Sequence, residues 1–486
     1  MRRHEYLVLV GAVLLAFAVY LATSWQAAPI GFPLDDSWIH QTYARSLALR
    51  GEWAFRPGLT SAGSTAPFWS LLLAPGHLLR LAPYAWTLAL GGILLLALCS
   101  VMENAGRALA PHYRPRLPWI GLLFAFEWHL VWAALSGMET IMHALLVSVA
   151  LVLLMRPNPP FAQVGVLAGL SVWVRPDGLT LAGPVLLVAL TLPSARQNGL
   201  QPVLRFLLGF APFVAIYLLF NSVLGGTPMP STFYAKQSEY AGWWQTLPWS
   251  QRLLQLAVQV LAGPGFVLLP GALAWAWHAA RRRDVATLAA TLWVAGYMIL
   301  YLARLPVYQH GRYVMPAIPM LFLLGLLGLI QFGSKQNSTL VRLTTLTWRT
   351  SLALLCVIFV ALGARSYAED VAFIESEMVA AARWSADHLP ADALVAAHDI
   401  GALGYFDGHA LIDLAGLISP DVIPFMRDEE RIASFLGLQG ADFLVAFPDF
   451  YPRLTRELEP VFVSPGSTAP VAGHGHMTVY RLDTDE

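Results

Sequence analysis

The sequence predicts a multi-pass α-helical membrane protein of about eleven spans, ending in a small water-soluble α/β module. Three observations carry this expectation. Of 486 residues, 57% are hydrophobic and only 12% are charged, about half the charged share of a soluble domain. The apolar residues gather into runs of the length that crosses a bilayer. Past Arg365 those runs stop, and short apolar stretches alternate with helical patterns instead. Lysine plus arginine balance aspartate plus glutamate at 30 each, so no net charge draws the chain to nucleic acid. Cys99 and Cys356 both fall inside apolar runs and read as packing residues without a disulfide.

The first run, Tyr6 to about Trp25, follows Arg2 and Arg3 and lacks a convincing small-residue cleavage site, so it reads as an uncleaved first span. Further runs cover 83–106, 118–135, 140–155, 161–174, 178–193, 203–223, 261–279, 285–303, 314–332 and 350–364. Basic loop residues orient them. One set of loops carries Arg2, Arg3, Arg107, Arg114, Arg116, Arg156, Arg196, Arg205, Arg281 to Arg283, Lys335, Arg342 and Arg349, and the opposite set is poorer for its length. The N-terminus is therefore expected inside the cytoplasmic membrane, and an odd span count places the C-terminal module outside. The first outer loop, 26–82, holds an amphipathic stretch, Ser37 to Leu49, and an apolar stretch, Pro67 to Leu81, which is expected to lie in the interface plane. Residues 1–365 form the expected transmembrane module. Residues 366–486 form the soluble one, with a helical pattern at Tyr367 to His388 and apolar runs at Leu394–Ala397, Ala410–Leu414, Phe443–Phe447 and Met477–Leu482. Tryptophans near the outer boundaries, among them Trp25, Trp38, Trp69 and Trp132, read as an interfacial belt.

The outer loops also carry the chemistry. Asp35 and Asp36 sit about ten residues past the first span, followed by His40, Tyr43 and Arg45. A carboxylate fixed there serves as a general base or metal ligand, and the same Leu-Asp-Asp-Ser sequence also fits a helix cap. Ser61 to Trp69 is rich in small residues and hydroxyls, and either lets backbone approach a ligand closely or makes a turn into the next helix, the favoured reading. Glu139 follows Ser136-Gly137-Met138 at another outer junction, where it either orients a substrate hydroxyl or caps a helix. Arg175 and Asp177 flank a Pro-Gly turn. Two prolines present Tyr234 and Lys236, and Tyr308-Gln-His-Gly-Arg-Tyr313 holds His310, Arg312 and Tyr313. A lone cation beside a membrane is usually a snorkelling anchor, but Arg175, Lys236 and Arg312 on three loops can together neutralise a phosphate. Within the spans, Glu127 and His129 read as a hydrogen-bonded interior pair or a proton relay. In the module, His398-Asp399 with Asp407 and His409 lack close metal spacing and read as strand-end and turn residues.

These motifs resemble the GT-C family of integral-membrane glycosyltransferases that use polyprenyl-phosphate sugars, nearest to its bacterial arabinosyltransferase- and mannosyltransferase-like members. The resemblance rests on FPLDDSWIHQTYARSLA (32–48), AGSTAPFWSLLLA (62–74), SGMET (136–140), VRPDG (174–178), TPMPSTFYAK (227–236) and HGRYVMPAIP (310–319). HDIGALGYF (398–406) and LIDLAGLISPD (411–421) look like the outer domain of such proteins. The family's acidic pair often reads Asp-Glu in members acting on protein or lipid A, so Asp-Asp departs from those subclasses. The resemblance implies that Asp35 or Asp36 activates an acceptor hydroxyl with inversion at the anomeric carbon. It also implies that Lys236, Arg304, Arg312 and Tyr313 hold the donor phosphate, and that His40, Arg45, Glu139, Arg175, Asp177, Tyr234 and His310 line the substrates. The expected partners are a polyprenyl-phosphate sugar, an extracytoplasmic acceptor (glycan, lipid or protein) and membrane lipids. The sequence establishes no cofactor, a divalent metal stays open, and the lipid-linked sugar enters as substrate. The rival readings are a secondary transporter or lipid flippase and a non-catalytic envelope assembly or binding protein.

Overall fold

The computed structural model describes residues 1–113, 115–334, 338–467 and 475–482. Arg114 and Lys335 of the basic-loop pattern, and residues 468–474 and 483–486 of the soluble module, lie outside them. The chain is mostly helical, and it is a multi-pass membrane protein. Six helices among the described residues are long and apolar enough to cross a membrane, or seven if one bent pair forms a single span. That is fewer than the eleven expected, because several apolar runs make helices shorter than a bilayer. Thr140–Leu154, Phe161–Val174 and Pro176–Thr191 fall in this class. The run 118–135 is broken in two: Trp119–Ala125 ends, and the Glu127 side chain accepts from the Leu130 amide at 2.9 Å to cap a new helix, Trp128–Leu135. The bent pair, Trp249–Leu261 and Pro264–Arg282, turns by 98°. Gly263 makes that turn at φ +76°, ψ −127°, a conformation that costs any residue with a Cβ dearly.

The spans pack through small residues, as close helix approach in lipid requires. A Cβ at Gly165 would collide with the Phe206 carbonyl, and one at Gly209 with that of Ala162, so Phe161–Val174 and Gln201–Gly225 run backbone to backbone. Gly271 and Gly328 bring Pro264–Arg282 and Ile318–Ser334 together in the same way. Cys99 is buried, Cys356 half-buried, and both are free.

The last span does not end at a linker. Residues 365 and 366 lie inside the helix Thr339–Ile374, which continues through a wider turn, Glu375–Val379, into Ala380–His388. A hairpin of β1 (Ala54–Arg56) and β2 (Leu59–Thr60) lies in the first loop. Beyond the long helix, β3 (Leu394–Ala397), β4 (Ala410–Asp413), β5 (Phe443–Ala446), β6 (Glu459–Val463) and β7 (Thr478–Arg481) form one sheet in the order β4-β3-β5-β7-β6. β3 pairs in parallel with β4 and β5, and β7 runs antiparallel between β5 and β6. The module that carries this sheet packs against the first loop. The helix Asp36–Arg50 of that loop packs on the short helix Gly401–Phe406, with Trp38 4.7 Å from Tyr405 and 4.6 Å from Phe406. Trp38, Trp69 and Trp132 are thus core residues and not an interfacial belt, whereas Trp25 is 68% exposed. Pro67–Leu78 forms a helix that also packs on Asp36–Arg50.

Candidate active site

A cleft of about 880 Å³, its open mouth included, lies where the first loop, several helix ends and the C-terminal module meet. The helix Asp36–Arg50 contributes Asp36, Ile39 and His40, three positions that a pitch of about 3.6 residues per turn puts on one face. The helix Ser231–Thr246 contributes Thr232, Phe233, Lys236 and Gln237 with the same spacing logic. Glu139, Arg175, Asp177, Tyr301, Arg304, Arg312 and Tyr313 complete the polar wall, and Leu417 reaches in from the module.

The two aspartates part company. Asp36 Oδ2 accepts from Arg312 Nη2 at 2.6 Å. Burial pushes the Asp36 carboxyl up, but the Arg312 and Lys236 charges outweigh it and hold the group below its ordinary value. Asp35 is buried and not part of the cleft wall. Its two oxygens accept from the Gly401 and Ala402 amides at 2.7 and 2.8 Å, at the start of the module's Gly401–Phe406 helix. Asp35 stands at the cap position of its own helix, yet its side chain makes no cap bond there. Burial, helped by the nearby Asp399, pushes it up to about 7 against the pull of the two amides.

Arg312 is 3% exposed, and its Nε and Nη1 have no hydrogen-bond partner among the described residues. Tyr313 Oη accepts a second bond from Arg312 Nη2 at 3.2 Å. Lys236 Nζ lies 3.5 Å from Glu239, while Arg304 lies over the Phe233 ring at 4.9 Å and pairs with no carboxylate among the described residues. Opposite them, Arg175 bridges Glu139 at 2.9 Å and Asp177 at 3.0 Å, and Tyr301 donates to Asp177. His40 Nε2 sits 3.3 Å from Glu139 and its Nδ1 faces Ser70. Glu139, the residue before Thr140–Leu154, makes no cap bond with its side chain. The cleft therefore holds an ionised carboxylate next to a guanidinium with free donors, backed by a closed Glu139–Arg175–Asp177 network.

Three expected substrate residues lie elsewhere. Arg45 donates to the Tyr405 and Gly404 carbonyls at 2.8 and 3.3 Å and covers the Tyr405 ring at 4.2 Å. It ties loop to module and is absent from the cleft wall. Tyr234, next to the lining Phe233, lies off that helix face. His310 bonds Asp370 at 2.7 Å. Thr65, Thr232, Phe233, Gln237, Tyr301 and Leu417 line the cleft without having been anticipated. Of these, Thr232, Phe233 and Gln237 were findable from helical spacing around Lys236. Glu127 and His129 bond each other at 2.7 Å, and His129 Nε2 meets the Gln259 carbonyl at 2.7 Å. In the module, His398 pairs with Tyr451 Oη and His409 with Asp407. Among the described residues, no three His, Cys, Asp or Glu side chains group so as to hold a metal ion.

Residues 367–480 match the family model of a domain of unknown function, DUF8728. No curated protein matches the sequence. Several solved structures do match in fold. ArnT from Cupriavidus metallidurans, bound to undecaprenyl phosphate, superposes with a TM-score of 0.59 at 16% identity, covering 100% of this chain and 99% of that one. The oligosaccharyltransferase of Archaeoglobus fulgidus, in a complex with Zn and sulfate, gives 0.62 at 13% identity, over 97% of this chain and 73% of that one. The same organism's AglB, with an inhibitory peptide and a dolichol-phosphate, gives 0.62 at 13% identity over 92% and 70%. Likeness over the whole length to these membrane transferases identifies the fold of this chain as GT-C.

Proposed function

We propose that the chain is a membrane glycosyltransferase that moves one sugar from a polyprenyl-phosphate donor to an acceptor outside the cytoplasmic membrane, with inversion. The observation that carries this is the buried Arg312 guanidinium, with two of its three nitrogens, Nε and Nη1, unpartnered among the described residues beside the ionised Asp36. A buried donor left unpaired is costly, and a phosphate oxygen satisfies it with a charge-assisted bond. In the proposed step, the acceptor oxygen bonds to the anomeric carbon as the bond from that carbon to the phosphate oxygen breaks. The electron pair stays on the phosphate, where Arg312 and Lys236 offset the charge, and the acceptor proton passes to Asp36. Asp35 takes no part in this step; its oxygens are committed to the module. The solved neighbours held undecaprenyl phosphate and a dolichol-phosphate, which supports a lipid-phosphate donor here.

The test is transfer by purified protein in liposomes supplied with undecaprenyl-phosphate sugars and an envelope acceptor fraction, read as release of undecaprenyl phosphate by mass spectrometry. Release by wild type and none by Asp36→Asn is expected. Equal release by both removes Asp36 from the mechanism.

A further inference from the structure

Arg312 is presented by an unusual piece of backbone. Gln309, His310 and Gly311 all have positive φ, at +50°, +57° and +73°. Two consecutive residues with side chains in the left-handed region are rare, and they persist only where the surroundings hold them. Gly311 fits that region freely. The Gln309 Oε1 is buried without a hydrogen-bond partner among the described residues, while its carbonyl accepts from the Arg312 amide at 3.2 Å. The side-chain anchor to the rest of the fold is His310. Its Nε2 meets Asp370 Oδ2 at 2.7 Å, and its ring packs edge-on to Trp132 at 5.2 Å and to Trp128 at 5.8 Å. Asp370 is itself fixed, because the same Oδ2 accepts from Trp132 Nε1 at 2.9 Å and the residue sits on the long helix Thr339–Ile374.

We infer that His310 and Asp370 are positioning residues: they lock the left-handed turn 309–311 and thereby aim the Arg312 guanidinium into the cleft. Freed from Asp370, the turn relaxes toward right-handed or extended backbone. A change of that size two residues before Arg312 swings its side chain off Asp36. The consequence for ligand binding rests on the proposed phosphate role of Arg312, whereas the locking of the turn does not.

Two measurements separate the parts. Hydrogen exchange of the full chain in nanodiscs should show faster exchange confined to about residues 309–314 in Asp370→Ala and His310→Gly. Unchanged exchange there overturns the lock. Binding of undecaprenyl phosphate, the probe, should weaken about tenfold in His310→Gly, the factor of a mislaid charge-assisted contact. Glycine accepts the backbone conformation, so the loss reads the missing anchor and not strain. In an Arg312→Ala background the same change should cost nothing further, because the contact it aims is gone. A full additional loss in that background, or wild-type affinity in His310→Gly beside a weakened Arg312→Ala, overturns the positioning role. Wild-type affinity in Arg312→Ala refutes the phosphate reading alone, and the exchange result still decides the lock.

Discussion

Replacing Asp35 by asparagine should damage the dock between loop and module, and leave the chemistry to Asp36. Asp35 offers one oxygen to each of two amides, Gly401 and Ala402, at 2.7 and 2.8 Å. Asparagine has one oxygen, so one amide would face an NH2 group and lose its acceptor. A buried donor left so costs about 1–3 kcal/mol. The pH dependence carries a sign that separates this from a generic core defect. Burial raises Asp35 to about 7 in the folded protein, above its unfolded value of about 4. Between those values the folded state holds the extra proton. This part of the stability is therefore full below about pH 4 and is lost as pH rises toward about 7. Thermal unfolding of the full chain in nanodiscs, from pH 4 to pH 8, should show the fall in wild type and a flatter profile in Asp35→Asn. Asp36→Asn, which loses the ion pair with Arg312, should melt lower but keep the wild-type fall between pH 4 and pH 8, because Asp35 still makes it. Identical pH profiles for wild type and Asp35→Asn, or an Asp35→Asn protein that melts normally but transfers no sugar, would refute the division of labour between the two carboxylates.

Other outcomes follow from the same geometry. Lys236→Ala and Arg312→Ala should each weaken undecaprenyl phosphate binding, with a charge-assisted contact worth about 1.5–3 kcal/mol; unchanged affinity in both would make them anchors. Arg45→Ala should lower the melting temperature of the module without changing donor affinity, and a donor defect would return Arg45 to the substrate. A cysteine at the exposed Ser434 should react with an impermeant thiol reagent in intact cells whose outer barrier is permeable, and labelling only after lysis would put the module in the cytoplasm. Replacing His398 and His409 with alanine should leave donor binding intact and alter transfer modestly, which a total loss of transfer in a folded protein would contradict.

The lengths of the apolar runs located the helices because burial in lipid demands them, but length alone could not show where a run breaks. At 118–135 the break is made by Glu127, which reads in sequence as an intramembrane charge and in structure as a helix cap. Adjacency in sequence misled at Asp35-Asp36. Neighbours on a helix point about 100° apart, so one residue meets the module and the next meets the cleft. The same arithmetic removes Arg45, nine positions beyond Asp36 and so on the far side of the helix, and Tyr234, off the face that carries Phe233 and Lys236. His310 differs for another reason: its ring is tied to Asp370, 60 residues on, and does not line the cleft. Sequence-local reasoning found which loops meet. Which side chains face the cleft depended on helix phase and on the module pressed against the first loop.

The most direct test of the central proposal is donor turnover by wild type and the two aspartate variants in parallel. Each is reconstituted in liposomes with undecaprenyl-phosphate sugars and an envelope acceptor fraction, and released undecaprenyl phosphate is measured by mass spectrometry. Release is expected from wild type and from the folded fraction of Asp35→Asn, and none from Asp36→Asn. Release by Asp36→Asn at the wild-type rate would contradict it.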